Sequence, residues 1–252
     1  MTIVDHPWQI FLLSMLAFSL AAWLGASMRH SATHVLAEER EDFAVVLAAA
    51  LTLLGLIIGF TFSMAISRYD QRKNYEEAEA NAIGTEYARA DFLPDAAAAI
   101  TRQHLKKYTE LRLQFYAASG HEQLSRVNAE TNRLQQLLWS DVSVVGKAQS
   151  SPIIVLAVAG MNDVLNSQGY TQAAWWNRIP MAAWGLMATI ALVCNMMVGY
   201  NGRHVSGFRS LRFLLPFILS VSFFLIADID SPGGGVIRVI PKNLRSLMDT
   251  LH

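Results

Sequence analysis

The chain has 252 residues, of which 53% are hydrophobic and only 16% carry a charge, well below the roughly 25% of soluble domains. Its formal net charge at pH 7 is zero, so no bulk field favours nucleic acid or a charged substrate as a partner. Its single cysteine, Cys194, excludes an intrachain disulfide. The charged residues are concentrated in the middle of the chain, which indicates an integral membrane protein with a water-facing insertion.

Four stretches without a charged side chain predict transmembrane helices. Three of them exceed the roughly 20 residues that a helix needs to cross the hydrocarbon core. These are residues 8–28, 43–67 and 179–202. The fourth, residues 213–227, has only 15 residues and spans if the Arg212 side chain extends to one interface. We therefore expect transmembrane helices 1 and 2 within residues 1–67, and helices 3 and 4 within residues 179–228.

Residues 68–178, between the second and third predicted spans, have the pattern of a helical domain. We expect the second helix to continue without a break to about Phe92, because no Gly-Pro signal interrupts it. Asp95 suits an N-cap of the next helix. Ser151-Pro152 opens a further helix whose apolar run is too short to cross a membrane. The predicted fold class is an all-α membrane protein, with four transmembrane helices and a cytoplasmic helical domain inserted between helices 2 and 3.

Positive charges near the predicted membrane ends favour one orientation. The side with both termini and the middle domain has seven, Arg68, Arg72, Lys73, Arg178, Arg238, Lys242 and Arg245. The opposite side has five, Arg29, Arg40, Arg203, Arg209 and Arg212. Because cytoplasmic flanks carry the excess of Lys and Arg, this bias places the termini, the middle domain and a C-terminal tail at residues 229–252 in the cytoplasm.

No catalytic or cofactor-binding motif occurs in the chain. It lacks a nucleophile elbow, a phosphate-cradling glycine loop and a zinc-protease histidine pair, so we predict neither an enzyme nor a cofactor. Asp228 and Asp230, at the end of the fourth predicted helix, are candidate cation ligands, although Ca²⁺ takes about six to eight oxygens. We favour helix capping, or a pair with Arg238, over a metal site.

The second predicted span carries a regular stripe formed by Thr52, Leu56, Phe60 and Met64. The spacing of four places these residues on one side of the helix. Gly55 and Gly59 lie on another line and allow close approach of a second helix. Either the stripe packs inside the four-helix bundle or copies of it surround a symmetry axis, where an apolar constriction gates ion flow by dewetting. The spans contain no charged residue, so a charge-coupled transporter lacks its usual intramembrane groups.

Specific motifs follow this span. The chain reads Arg68-Tyr69-Asp70-Gln71-Arg72-Lys73, then Glu79-Ala80-Asn81-Ala82-Ile83-Gly84-Thr85, and then Arg89-Ala90 and Leu93-Pro94. These motifs resemble the pattern of the bestrophin-like family of membrane proteins. Asn162-Asp163, Leu165-Asn166 and the segment from Asp228 to Pro232 resemble its later landmarks, so the resemblance covers most of residues 43–240.

More distantly, the chain is similar to the bestrophin ion channels. Gly59-Phe60 and Arg68-Tyr69 resemble the end of the pore-lining helix and the cytoplasmic exit of that family. The resemblance implies a pentamer with a pore neck at Thr52, Leu56, Phe60 and Met64. It implies a cytoplasmic exit at Ser67, Arg68, Tyr69 and Arg72. The family's paired tryptophans are replaced by Tyr69-Asp70, and its acidic calcium clasp is reduced to Asp228 and Asp230.

The segment after the exit is predicted to form an oligomer or domain contact. Its residues are Glu79, Asn81, Gly84, Thr85 and Arg89. Small residues here let another helix approach closely, whereas Glu79 and Asn81 need polar partners. Arg68, Arg72 and Arg89, on the same predicted helix, are the candidate partners.

The leading hypothesis is therefore an oligomeric, pentameric ion channel of the bacterial inner membrane. Its expected partners are membrane lipid, inorganic ions and further copies of the chain, with no nucleic acid. The alternative is a non-conducting, membrane-anchored scaffold or sensor whose cytoplasmic helices bind a partner.

Overall fold

The computed structural model describes residues 6–30, 37–118, 120–149, 151–201 and 211–251. Every regular element within these ranges is helical. The helices are α1 (Pro7–His30), α2 (Ala37–Arg89), α3 (Asp95–Ala117), α4 (His121–Ala148), α5 (Pro152–Trp176), α6 (Met181–Asn201), α7 (Leu211–Asp230) and α8 (Lys242–Thr250), with a 3-10 turn at Ala90–Phe92. Among the described residues, four helices are long and apolar enough to cross a membrane, which confirms the predicted all-α class with four apolar helices.

The chain divides into two compact units. The apolar unit comprises Met1–Ser67 and Arg178–Ile237, and the amphipathic unit comprises Arg68–Asn177 and Arg238–His252. The long helix α2 contributes its first part to the apolar unit and its last part to the amphipathic unit. The segment interpreted as one C-terminal tail, residues 229–252, is thus divided between the two units. The side of the membrane on which each unit lies stays a prediction, and the side chains of Arg29, Arg40, Arg203, Arg209 and Arg212 lie outside the described residues.

In the apolar unit, α1 packs against α6 and α7. Gly25 of α1 and Gly199 of α6 face the backbone of the opposite helix. A Cβ atom at Gly25 would overlap the carbonyl oxygen of Met196, and one at Gly199 would overlap that of Ala22. The two glycines therefore permit a helix contact closer than any side chain allows. Among the described residues no other helix makes the close approach that we expected from Gly55 and Gly59, since an added Cβ at either meets no atom within 4 Å.

The amphipathic unit has a continuous apolar core. Each of the five α-helices that contribute to the unit supplies fully enclosed side chains to this core. Examples are Ile83 of α2, Leu105 and Tyr108 of α3, Leu138 of α4, Met161 of α5 and Leu244 of α8. The side chains of α3, α4 and α5 that enter this core recur at helical spacing, which gives each of these helices one buried face. Packing against this core is what orders the C-terminal residues into α8, a helix that the sequence did not predict.

Three helix starts show how the local sequence determines where a helix begins. Helix α5 begins at Ser151-Pro152, as predicted; Ser151 is its N-cap, and the Ser151 hydroxyl accepts a hydrogen bond from the Ile153 backbone N–H at 3.4 Å. The N-cap prediction for Asp95 is wrong, because Pro94 occupies the cap position and Asp95 is the first residue inside α3. Proline suits the position because the first backbone N–H groups of a helix have no intrahelical partner. Gly120 precedes α4 with a φ of 98°, a left-handed conformation that favours glycine.

Candidate functional site

The stripe on the first part of α2 faces away from the other helices of its own chain. The exposed fractions of Leu56, Phe60 and Met64 are 55%, 66% and 43%, and Thr52 is also exposed. The Thr52 hydroxyl donates a hydrogen bond to the Ala48 carbonyl oxygen at 2.8 Å, so its polarity is satisfied within α2. The stripe therefore does not pack inside the helix bundle of a single chain, which was one of the two alternatives.

The buried face of the same helix segment lies on the other side. Leu54, Thr61 and Ala65 are buried, and their separations of seven and four residues place them on one line of the helix. The Thr61 hydroxyl donates to the Ile57 carbonyl oxygen at 2.8 Å. This part of α2 thus packs Leu54, Thr61 and Ala65 against its own chain and leaves the bulky side chains of Leu56, Phe60 and Met64 exposed.

The residues predicted at the cytoplasmic exit differ in exposure. Ser67 is exposed, and Arg68 and Tyr69 are half-buried. Arg72 is only 1% exposed, and its Nε donates to the Ala174 carbonyl oxygen of α5 at 3.4 Å. Arg72 is therefore an interior residue of the amphipathic unit rather than a residue on the exposed surface of α2.

Glu79 forms an ion pair that is completely enclosed in the amphipathic unit. Its carboxylate accepts hydrogen bonds from Nε of Arg112 and, at 3.4 Å, from Nη2 of the same residue. The Thr171 hydroxyl donates to the Glu79 carboxylate at 3.2 Å. The Arg112 guanidinium also lies 4.3 Å from the centre of the Phe115 ring. Both charged side chains have no exposed surface, so the pair joins α2, α3 and α5 inside the unit.

The partner of Glu79 differs from the prediction. The candidates were arginines on the same helix, but the observed partner, Arg112, lies on α3. Two tyrosines near this pair have shifted pKa values. Burial, followed by the negative charge of Glu79, raises the pKa values of Tyr108 and Tyr116 above their usual range. Both phenols are therefore neutral beside the charged Glu79–Arg112 pair.

The other residues of the predicted contact segment lie near α8 and α5. Asn81 and Thr85 are exposed and line a surface cleft of about 450 Å³, which residues 243–250 of α8 close on its other side. Gly84 faces α8, since an added Cβ would lie 3.1 Å from Cδ1 of Leu247. Arg89 donates from Nη1 to the Leu156 carbonyl oxygen at 3.3 Å.

Glu76 is a further structural residue that the sequence did not indicate. Its carboxylate accepts a hydrogen bond from the Leu244 backbone N–H at 2.9 Å and another from Nδ2 of Asn243 at 2.7 Å. These donors lie in the first turn of α8, where backbone N–H groups lack intrahelical partners and the helix dipole favours a negative charge. The Glu76 carboxylate is therefore the N-terminal cap of α8, supplied from a position more than 160 residues earlier in the chain.

The two acidic candidates for a cation bind backbone donors instead. The Asp228 carboxylate accepts hydrogen bonds from the N–H groups of Val236 and Ile237 at 2.7 and 2.8 Å. The Asp230 carboxylate accepts from the Ile179 N–H at 3.2 and 3.3 Å. No cluster of three metal-ligating side chains occurs in the described ranges. Val236 and Ile237 lie between α7 and α8, and Ile179 lies before α6, so these bonds join loop segments rather than cap a helix end. The choice between helix capping, a pair with Arg238 and a metal site stays a prediction.

Residues 13–244 match the family model of the Bestrophin-like domain. No curated protein has a sequence that matches this chain.

Solved structures show the same fold. A crystal structure of a bacterial bestrophin homologue from Klebsiella pneumoniae, 16% identical, aligns with a TM-score of 0.61 over 96% of this chain and 94% of that chain. A single-substitution variant of that homologue, 15% identical to this chain, aligns with a TM-score of 0.62 over 96% of this chain and 94% of its own. Another, 15% identical, aligns with a TM-score of 0.60 over 99% of this chain and 96% of its own. At this identity, the likeness shows the fold alone.

Proposed function

The chain belongs to the Bestrophin-like family, and on this basis we propose that it forms a homopentameric ion channel of the bacterial inner membrane. In this proposal the exposed stripe of α2 lines the pore and Phe60 forms its narrowest apolar ring. Ser67, Arg68 and Tyr69 surround the cytoplasmic exit, and both termini and the amphipathic unit lie in the cytoplasm. Membrane lipid surrounds the assembly, and inorganic ions pass through it.

One observation carries the proposal: the most apolar of the four membrane-spanning candidates is also the one that its own chain covers least. In the apolar window of α2, only 6% of the residues are buried inside the chain, compared with 28% in α1 and 50% in α7. A helix that packs so little against its own bundle is available for contact with further copies of the chain or with lipid.

The composition of the exposed surface supports contact between copies. The exposed surface of α1 consists of bulky side chains such as Leu12, Leu16 and Trp23, which suit lipid. The exposed surface of α2 combines bulky residues with Gly55 and Gly59, around which the chain leaves open space. Glycines on a membrane helix permit a neighbouring helix to approach closely. Copies of α2 packed in this way around an axis would present the stripe to a shared interior.

A ring of Phe60 side chains would act as a hydrophobic gate. Such a constriction excludes water when it is narrow, and ions cannot cross it without their hydration. The absence of charged side chains from residues 43–67 agrees with a passage lined by apolar side chains and hydroxyl or backbone groups.

The first test is the mass of the detergent-purified particle, measured by light scattering with correction for bound detergent. We expect five copies. A monomer or dimer would contradict the pore, because no axis lined by α2 would exist, and it would favour the membrane-anchored scaffold or sensor.

The second test is ion flux in liposomes with Phe60→Ala. Truncating the ring widens the constriction, so we expect a higher leak than in the unmodified protein. Leu16→Ala is the matched control, because Leu16 is exposed to a similar extent, 60% against 66%, but lies on α1. Equal flux in all three proteins, each verified as a folded oligomer of the same size, would overturn the assignment of the neck.

A further inference from the structure

A second carboxyl group, Glu86 in the last turns of α2, is buried in a different way from Glu79. Its side chain has no exposed surface, and neither Oε1 nor Oε2 has a hydrogen-bond partner among the described residues. An ionised carboxylate in this position would lose its hydration without gaining a donor, which is strongly unfavourable, whereas the neutral acid loses much less. The geometry therefore selects the protonated form.

Glu86 lies at the contact between α2 and α5. A Cβ atom at Gly160 of α5 would overlap both Oε2 of Glu86 and Nη1 of Arg89. The two polar side chains of α2 thus fill the space next to the α5 backbone at Gly160, and a side chain at this position would have to displace them. Any change in the hydration of Glu86 must change this contact.

The charged groups around Glu86 have opposite effects. Arg89, one turn later on α2, favours the ionised form, but its Nη1 is also bound to the Leu156 carbonyl oxygen. Asp163 of α5 disfavours the ionised form. Asp91 of the 3-10 turn that follows α2 and Arg102 of α3 pair with each other. Burial is the largest effect and raises the pKa of Glu86, Arg89 lowers it and Asp163 raises it; the result is a pKa of about 8.

We propose that Glu86 is a proton-binding site of the amphipathic unit, which holds the α2–α5 contact together as the neutral acid and loosens it when the proton leaves. Ionisation would draw water to the carboxylate, into the contact between the two helices at Gly160.

The proposal fixes the sign of a pH dependence. The pKa of Glu86 is about 8 in the folded chain and 4.5 for an unperturbed glutamate. Between these values the folded state holds a proton that the unfolded state has lost. The contribution of Glu86 to stability is therefore fully present below about pH 4.5, declines as the pH rises towards about 8, and is lost above it.

The experiment measures the thermal unfolding midpoint of the purified full chain in detergent from about pH 6 to about pH 9.5. We expect the midpoint of the unmodified protein to fall over this range and that of Glu86→Gln to fall less, because glutamine cannot ionise. Glu77→Gln is the matched control, since Glu77 lies on the same helix and is exposed. We expect Glu77→Gln to follow the unmodified protein. Identical pH profiles for Glu86→Gln and Glu77→Gln would overturn the proposal.

A second variant keeps the proposal testable if Glu86→Gln does not fold. Asp163 is exposed, so Asp163→Asn removes a neighbouring negative charge without disturbing the interior. The remaining charge near the site is that of Arg89, so we expect the pH-dependent loss of stability to move to lower pH. Amide hydrogen exchange of residues 153–163, corrected for intrinsic exchange rates, should rise over the same pH range. A transition that Asp163→Asn leaves in place would contradict the assignment to Glu86.

Discussion

The two parts of α2 show opposite arrangements on the same helix. In the apolar unit, residues 43–67 contain no charge, and the helix leaves its bulky apolar side chains exposed. In the amphipathic unit four charged side chains of the helix, Arg72, Glu76, Glu79 and Glu86, turn inward and are almost completely buried. These four residues lie on the same face of α2 as the buried residues Leu54, Thr61 and Ala65, because the helical spacing continues from one set to the other. One helix face is thus interior throughout, but what it carries changes from apolar to ionisable.

The difference shows what each environment requires. Exposed apolar side chains are stable only against lipid or another protein surface, so the first part of α2 depends on partners outside the chain. Buried charges are stable only when each is compensated. The structure compensates each one differently: Arg72 by a carbonyl oxygen, Glu76 by a helix N-terminus, Glu79 by an arginine and Glu86, in our proposal, by a proton.

The strongest way to break the amphipathic unit is Glu79→Gln. This change removes the negative charge and leaves Arg112 enclosed without its counter-ion. Removing one partner of a buried pair destabilises proteins by about 3 to 5 kcal/mol, and we expect a loss of that size in the free energy of unfolding. A denaturant titration in mild detergent measures it.

The control for this prediction is Glu77→Gln, whose side chain is exposed and whose effect should stay within about 0.5 kcal/mol. The double variant Glu79→Gln with Arg112→Met should lose less than the sum of the two single variants, because it leaves no charge unpaired. A small effect of Glu79→Gln alone would show that the ion pair is not a determinant of this unit.

The sequence predicted the apolar unit better than the amphipathic unit, and the reason is physical. A membrane helix requires a long stretch without charge, and this requirement appears directly in the order of residues. Four such stretches predicted α1, the first part of α2, α6 and α7. Residues 68–178 also had the pattern of a helical domain, so the all-helical class followed from sequence alone.

The interior partners could not be read from the sequence. Arg112 and Glu79 are 33 positions apart on different helices, and Glu76 and Leu244 are 168 apart. No periodicity links such positions, because only the packed core brings them together. Glu86 resembles any surface glutamate of a polar helix, and only its burial against Gly160 distinguishes it. The exposure of the α2 stripe could not be predicted from the sequence either, because the spacing of its residues fits both a buried and an exposed helix face.

The second prediction tests close packing in the apolar unit. Gly199→Ala places a Cβ against the backbone carbonyl of Ala22, which has no flexible end that can move aside. Overpacking of this kind costs about 1 to 3 kcal/mol, and we expect a corresponding loss of stability in the unfolding titration.

Gly59→Ala provides the contrast, because an added Cβ there meets nothing within 4 Å in the chain. Alanine is the better helix former, so the single chain should lose no stability. If copies of α2 approach each other at Gly59, however, the oligomer should dissociate more readily. Equal losses of chain stability for the two variants would contradict the distinction between the covered and uncovered helices.

The smallest expected effect concerns the attachment of α8 in the amphipathic unit. Glu76→Gln keeps one acceptor oxygen but replaces the charged cap of α8 by a neutral amide, and losing a helix cap costs about 0.5 to 2 kcal/mol. Because the cap holds only the C-terminal helix, we expect local rather than global loosening. Hydrogen exchange should increase in residues 242–251 while residues 105–115 stay protected. Asp249→Asn, an exposed change within α8, should leave both regions unaltered. Loosening that extends through α3 would show that Glu76 stabilises the whole unit, and unchanged exchange in α8 would show that apolar packing of Leu244 alone holds the helix.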